Sequence, residues 1–334
     1  MACYKPLTAY RTDGGDIQFH DNGQGRPLEL PCGQCIGCRI QRSKDWALRC
    51  VHEASMYEDN CFITLTYGPE KLPPDCGLIK SDFQKFMKRL RNFLEVPATL
   101  LNDDCLTPKI YMRGPKKGLR KIGTFTGTKI KYYMCGEYGD ESNRPHYHAI
   151  IFNWNPDDWV YLFDSPGGEP VYTSPTLESI WGLGFVTIGT VTFESAAYVA
   201  RYVLKKINGP LAEKIDEKTG LKHYERINSF TGEISEVIPE YNDMSRRPGI
   251  GINWISNYTR DVYPKDYTTV RGVKQRPPRY YDNYLMDIDP EMYDDIKAAR
   301  ELSMSENFAE NTELRLKQRE KVAEAQNKQL VRSL

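Results

Sequence analysis

The sequence lacks any long hydrophobic run. No apolar stretch in its 334 residues approaches the roughly 18 residues that a membrane-spanning helix needs. The first ten residues, MACYKPLTAY, also lack the apolar stretch of a secretory leader. We therefore expect an intracellular protein with no membrane partner. Its nine cysteines are then predicted to be reduced thiols or metal ligands rather than disulfides.

The sequence also lacks net charge, because 45 Lys and Arg residues balance 45 Asp and Glu residues. A neutral sum argues against a nucleic-acid partner, but the charges are unevenly distributed. Eight bases and no acid lie between Lys109 and Lys131, whereas ten acids and only two bases lie between Asp282 and Glu313. A charge run is most often a solvated face, yet this asymmetry permits an anionic ligand at the basic centre.

Hydrophobic periodicity predicts four strands and three helices in the order β-α-β-β-α-β, followed by a helix. The strands are predicted at 61–67, 130–138, 146–153 and 185–192, and the helices at 81–95, 175–181 and 194–207. Ser81 and Gln84 are a predicted capping box. This order is the ferredoxin-like, α+β pattern, an antiparallel sheet with helices on one face and the other face open to a ligand.

Four segments follow from composition and pattern. Residues 1–58 are predicted to form a cysteine-rich, irregular N-terminal segment that ends in a helix at 40–57. Residues 59–210 hold the βαββαβ core. Residues 211–289 are predicted to be an irregular extension, and residues 290–334 a charged helical tail that breaks near Asn311.

Two histidines lie in the predicted strand 146–153. His146 and His148 flank Tyr147, and alternate residues share one face of a strand, so both imidazoles are expected on the same exposed face. The preceding strand carries Glu137, which a hairpin would bring beside the pair. Two imidazoles and one carboxylate with open coordination positions suit Mg²⁺, Mn²⁺ or another divalent ion. The histidine pair alone fits a structural role equally well, and the carboxylate favours the metal.

Two tyrosines lie one turn apart on the predicted helix 194–207. Tyr198 and Tyr202 share a face, which Lys206 continues and Lys205 flanks. Taken alone, tyrosines at this spacing are more often packed on an amphipathic helix than chemically active. A phenol with a pKa of about 10 is a poor nucleophile at neutral pH unless its electrophile is activated.

A divalent ion on a phosphodiester supplies such activation, and a lysine can neutralise charge on the phosphate. Attack by a tyrosine would create a phosphotyrosine link and release a 3′-hydroxyl. The bond energy is kept, so a second attack can rejoin the strand. Two tyrosines one turn apart would allow two such transfers to alternate.

The N-terminal segment carries a third set of candidate residues. Cysteines with C-x-x-C-x-x-C spacing, and one more from the N-terminus, are Cys3, Cys32, Cys35 and Cys38. Close thiolates suit tetrahedral zinc, and we predict one structural Zn²⁺, with Gly33 and Gly37 helping the turn. Cys50 or His52 could replace one ligand. An iron–sulfur cluster is less favoured, and unliganded thiols are the alternative.

The histidine pair, the upstream glutamate and the Y-x-x-x-Y helix resemble the HUH endonucleases that start rolling-circle replication. Longer motifs narrow the resemblance to the replication initiators of microviruses, in particular the gokushovirus type. These motifs are CGQCIGCR at 32–39, CFITLTY at 61–67, YMCGEYGD at 133–140, RPHYHAIIF at 144–152, FESAAYVARYVLKK at 193–206 and PPRYYD at 277–282. The likeness covers nearly the whole chain.

The resemblance implies that Glu137, His146 and His148 hold the metal and that both tyrosines are nucleophiles. It leaves open whether Lys205 or Lys206 assists. It implies a DNA endonuclease and strand transferase acting on single-stranded or cruciform origin DNA in the host cytoplasm. Because the sequence has no G-x-x-x-x-G-K-[ST] motif, duplex unwinding would need a host helicase together with the host replication machinery.

Two other interpretations remain. A βαββαβ sheet also serves as a non-catalytic, RRM-like nucleic-acid-binding module, in which His146 and His148 would be ordinary face residues. Plasmid initiators and transposases share the HUH core, but the cysteine-rich segment and the flanking motifs disfavour them. Metal-dependent covalent capture of DNA separates an enzyme from a binding module.

Overall fold

The structure is a computed structural model, and it describes residues 3–23, 25–94, 129–139, 142–165, 167–201, 212–217, 219–228, 230–306 and 311–329. The chain divides into two compact units, each assembled from separate segments. Unit 1 comprises residues 1–53, 192–206 and 248–334, and unit 2 comprises residues 54–191 and 207–247. Residues 192–206 of the predicted core thus cluster with unit 1.

The described residues form a mixed α+β arrangement, as the sequence predicts. The strands are β1 (Leu7–Arg11), β2 (Ile17–Gln18), β3 (Arg26–Leu30), β4 (Asn60–Tyr67), β5 (Lys131–Tyr138), β6 (Pro145–Phe152), β7 (Val160–Asp164), β8 (Pro170–Thr173), β9 (Gly184–Gly189), β10 (Glu225–Ile227), β11 (Ile234–Glu236), β12 (Tyr241–Met244), β13 (Thr268–Val270) and β14 (Val273–Gln275). The helices are α1 (Ile36–Ala54), α2 (Lys80–Phe93), α3 (Pro175–Trp181), α4 (Phe193–Arg201), α5 (Ile252–Val262), α6 (Arg279–Ile288), α7 (Pro290–Glu306) and α8 (Glu313–Gln329).

Unit 2 is built on a seven-stranded sheet in the order β12-β5-β6-β4-β9-β8-β7. Every neighbouring pair is antiparallel. The four predicted strands are β4, β5, β6 and β9, which lie side by side in the order β5-β6-β4-β9. The β7–β8 hairpin and β12 extend the sheet at its two sides.

Helices α2 and α3 cover one face of this sheet. Their apolar residues pack with alternate residues of the strands, such as Ile63 and Leu65 of β4 and Tyr147 of β6. The guanidinium of Arg89 in α2 donates to the carbonyl oxygens of Ile180 and Trp181 in α3, at 2.6 Å each. Strand residues of the opposite parity therefore point away from these helices.

Unit 1 contains a three-stranded antiparallel sheet, in the order β2-β1-β3, and the helices α1 and α4 to α8. The last turns of α1 hold the segment that begins at residue 248. Arg49 donates to the carbonyl oxygen of Ile250 at 3.0 Å, and the carboxylate of Glu53 accepts from the backbone N–H of Gly251 at 2.7 Å. Gly251 has a φ of +81°, a conformation that favours glycine.

Several expectations from the sequence are wrong in detail. Residues 1–30 form strands rather than irregular structure, and α1 begins four residues before the predicted residue 40. The predicted irregular extension contains α5, α6 and several short strands. Helix α2 begins at Lys80 with Ile79 as its N-cap and no side-chain cap, so the capping box is absent. The tail does form two helices, α7 and α8. No helix among the described residues is long and apolar enough to span a membrane.

Candidate metal centre and tyrosine helix

The β5–β6 hairpin brings Glu137 beside both histidines, as the sequence predicts. Glu137 of β5 is directly paired with His146 of β6. On the other side of β6, Thr64 of β4 is directly paired with His148. All four residues have the parity that points away from α2 and α3.

The two imidazoles converge on one carboxylate oxygen. Oε1 of Glu137 lies 2.5 Å from Nε2 of His146 and 2.9 Å from Nε2 of His148. The two rings are perpendicular, with centroids 4.9 Å apart. One ligand atom from each of the three residues lies within 4.8 Å of the other two, so a single ion could contact all three.

The hydrogen bond on the far side of His146 shows that the donor set fits a cation. Nδ1 of His146 lies 3.1 Å from the carbonyl oxygen of Arg144, which can only accept, so Nδ1 carries a hydrogen. In a neutral ring, Nε2 then presents a lone pair to the carboxylate oxygen of Glu137. Two acceptors so close need a proton or a metal ion between them. A backbone carbonyl on Nδ1 is a common support for a metal-binding histidine.

His148 is supported by side chains instead. Its Nδ1 lies 2.9 Å from Oγ1 of Thr64, and its ring is stacked on Phe62 with centroids 5.7 Å apart. His148 is only 6% exposed and Glu137 only 2%. The expectation that both histidines lie on an exposed face is therefore wrong for His148.

The environment keeps Glu137 ionised. Burial raises the pKa of its carboxyl group, but the hydrogen bonds from both imidazoles outweigh burial and lower the pKa to about 2. A carboxylate must be deprotonated to bind a metal ion. The arrangement thus provides one anionic oxygen and two imidazole nitrogens at neutral pH.

Tyr198 lies on α4, within unit 1. A reciprocal cap fixes the start of this helix, because Thr192 N–H donates to Oγ of Ser195 at 2.8 Å and Ser195 N–H donates to Oγ1 of Thr192 at 3.1 Å. Tyr198 is 9% exposed, and Val199 is fully buried, as predicted for the core stripe. The other three predicted residues of this helix lie outside the described residues: Tyr202, Lys205 and Lys206.

The four predicted zinc ligands also come together, within unit 1. Their Sγ atoms all lie within 4.8 Å of one another, and we call Cys3, Cys32, Cys35 and Cys38 the four-cysteine cluster. The suggested substitutes are outside it: Cys50 is buried in α1, and His52 lies 3.0 Å from the hydroxyl of Tyr281 through Nδ1. Gly33 has the positive φ, +73°, that a tight turn requires, whereas Gly37 lies inside α1.

Sequence reasoning missed the contact of Thr64 with His148. A signal for it exists in CFITLTY, where Thr64 and Thr66 alternate with the buried residues Ile63 and Leu65. The alternation places both hydroxyls on the face that carries the histidines. The role of the Arg144 carbonyl has no signal, because any residue supplies a carbonyl group.

Comparison with known proteins identifies the family. A family of replication-associated proteins, described by its ORF2 members, matches residues 60–207. Replication-associated protein VP4 of Bdellovibrio phage phiMH2K is 32% identical over 310 residues, which cover 92% of this chain and 84% of the relative. Replication-associated protein ORF2 of Spiroplasma virus 4 is 30% identical over 327 residues, or 90% of this chain and 86% of the relative.

A more distant relative is replication-associated protein ORF4 of Chlamydia phage 1, 26% identical over 260 residues that cover 77% of this chain and 53% of the relative. No solved structure matches the chain significantly. These relatives confirm the resemblance to microvirus replication proteins. The chain belongs to the family of phage replication-associated proteins.

Proposed function

We propose that this protein initiates rolling-circle replication by nicking origin DNA, holding the 5′-phosphate on a tyrosine and later rejoining the strand. The observation that carries the proposal is the convergence of both Nε2 atoms, from His146 and His148, on Oε1 of Glu137. Membership of a replication-associated family supports a role on DNA, and this donor set supports metal-assisted chemistry on a phosphodiester.

The sheet supports the same assignment. The order β5-β6-β4-β9, with α2 and α3 on one face, is the order of a ferredoxin-like βαββαβ sheet. An HUH core has the same arrangement, with its histidine strand in the middle of the sheet. Residues 59–210 are therefore our candidate for the HUH core.

Glu137, His146 and His148 would hold Mg²⁺ or Mn²⁺, which when bound supplies Lewis-acid polarisation of a phosphodiester. The oxygen of Tyr198 or Tyr202 attacks phosphorus and loses its phenolic proton. The bond from phosphorus to the 3′ oxygen breaks, and that oxygen leaves as a hydroxyl after taking up a proton. The product is a 5′-phosphotyrosine link.

Lys205 or Lys206 would stabilise the negative charge that develops on the phosphate during this transfer. The reverse attack, by a 3′-hydroxyl on the phosphotyrosine, restores the diester and frees the tyrosine. The substrate would be single-stranded or extruded origin DNA, bound through its phosphates with a strong dependence on salt. A host helicase would open the duplex, since the sequence has no P-loop.

Covalent capture tests the proposal. The native chain, incubated with Mn²⁺ and single-stranded oligonucleotides tiled across the phage genome, should form a covalent adduct with oligonucleotides from one region. Denaturing gel electrophoresis detects the adduct, and leaving out the divalent ion should abolish it. A chain that binds the oligonucleotides but forms no adduct with Mg²⁺ or Mn²⁺ would contradict nicking and favour a non-catalytic binding module.

A further inference from the structure

The four-cysteine cluster has the spacing of a metal site. With Zn–S bonds of about 2.3 Å, the sulfur atoms of a tetrahedral zinc site lie about 3.8 Å apart. Sγ of Cys35 lies 3.8 Å from Sγ of Cys3. A disulfide would bring two sulfur atoms to about 2.05 Å, and none of the eight described cysteines forms one.

Backbone groups around the cluster are arranged to stabilise negative charge on sulfur. Sγ of Cys3 accepts from Cys32 N–H at 3.3 Å, and Sγ of Cys35 accepts from Tyr4 N–H at 3.3 Å. Sγ of Cys32 accepts from Cys35 N–H at 3.2 Å and from Gln34 N–H at 3.4 Å. Such N–H donors suit thiolates, the form in which cysteine binds zinc.

The location of the cluster gives it a structural purpose. Cys3 precedes β1, Cys32 follows β3, and the other two cysteines lie at and just inside the start of α1. The cluster therefore joins the N-terminal sheet to α1 at a single point. Cys35 precedes α1 and Cys38 lies in its first turn, where the helix dipole favours the negative charge of a zinc–thiolate complex.

The N-terminal sheet needs such a joint because it has almost no core. Among the residues of β1, β2 and β3, only Ala9 is buried. Leu7 and Ile17 are 45% and 46% exposed. Small layers that bury so little apolar surface commonly depend on a disulfide or a metal ion for stability.

We propose that the four-cysteine cluster binds one structural Zn²⁺ that fastens the N-terminal sheet to α1. Binding takes the four sulfurs as thiolates, and their protons go to solvent. The site is closed, because four protein ligands complete the tetrahedron and leave no position for substrate. Cys3 and Cys35 are buried at 1% and 7% exposure, which protects the ion from exchange.

Metal analysis of the full chain, purified without chelator, tests this proposal. We expect about one zinc per chain in the native protein and less than about 0.1 in Cys35→Ser, because three thiolates alone bind zinc far more weakly. Cys76→Ser is the matched control, since Cys76 is a half-buried cysteine of unit 2 outside the cluster, and it should keep its zinc. Limited proteolysis should cut residues 1–35 at least about tenfold faster in Cys35→Ser.

A measurement on the native sequence keeps the proposal testable if Cys35→Ser does not fold. Protein grown with cobalt in place of zinc should show the thiolate-to-cobalt charge-transfer bands and the intense visible bands of a tetrahedral tetrathiolate site, at one cobalt per chain. Absence of these bands in folded protein would overturn the proposal. Folded native chain with no zinc, or with iron and inorganic sulfide instead, would overturn it as well.

Discussion

The two candidate metal centres of this protein differ in almost every property. The centre in unit 2 combines a carboxylate with two imidazoles on adjacent strands, and hydrogen bonds to Arg144 and Thr64 hold the two rings. The centre in unit 1 consists of four sulfur atoms at the ends of a small sheet and at the start of α1. One set has open coordination positions and suits hard divalent ions, and the other is closed and suits zinc.

The surroundings of the two centres differ in the opposite sense. The strands under the Glu137 centre rest on a packed core of aromatic and aliphatic residues from α2 and α3. The N-terminal sheet beside the four-cysteine cluster buries only Ala9 within its strands. In unit 2 the fold holds the metal ligands in place, whereas in unit 1 a metal would hold the fold in place. Removal of each metal should therefore have a different consequence.

The largest effect is expected from removing a ligand of the unit 2 centre. His146→Ala or His148→Ala should reduce adduct formation at least about 100-fold, because a ligand that positions the Lewis acid is lost. The fold should survive, since the core lies on the other face of the sheet. The measurement is the amount of DNA adduct formed at a fixed Mn²⁺ concentration, with circular dichroism and zinc content of the same samples.

His223→Ala is the matched control, because His223 is a histidine of unit 2 that lies outside the centre. It should form adduct as the native chain does. Native adduct yields in His146→Ala would remove the Glu137 centre from the mechanism. Loss of zinc from either histidine variant would contradict the separation of the two centres.

A smaller effect is expected from the group that supports His148. Thr64→Val removes the hydroxyl next to Nδ1 of His148 and keeps the shape of the side chain, so Mn²⁺ affinity should fall about tenfold. The measurement is adduct yield against Mn²⁺ concentration. Thr66→Val is the control, because it makes the same change on the same face of β4, and its affinity should match the native value. Equal losses in both variants would show that the Thr64 hydroxyl has no special role.

Local patterns were sufficient to predict the centre of unit 2. Alternation in β5 and β6 and the turn at 139–145 predicted the hairpin, and its register put Glu137 opposite His146. Helix α3 was predicted at its observed bounds, because Pro175 begins it, Gly182 follows it, and both are strong boundary signals. The spacing of Cys32, Cys35 and Cys38 likewise predicted which sulfur atoms would meet.

Elements without an amphipathic pattern could not be predicted. All five residues of β7 are exposed, and the N-terminal strands bury only Ala9, so neither region shows the alternation of a buried strand. Helices α5 and α6 are fixed by contacts between distant residues, such as the hydroxyl of Tyr263 donating to Asp282 at 2.8 Å. Such contacts leave no periodic trace in the sequence.

The central claim is that a tyrosine of the α4 region becomes covalently attached to DNA, and covalent capture by tyrosine variants tests it most directly. Replacement by Phe removes only the hydroxyl, so Tyr198→Phe and Tyr202→Phe should each leave the fold intact. Each single variant should still form an adduct with a short origin oligonucleotide through the remaining tyrosine.

The control is Tyr258→Phe, which removes the hydroxyl of an exposed tyrosine in α5 and should form adduct at the native level. The double variant Tyr198→Phe, Tyr202→Phe should bind the oligonucleotide and form no adduct at all. If the double variant still becomes covalently linked to DNA in the presence of Mn²⁺, the nucleophile lies elsewhere and the proposed mechanism is wrong.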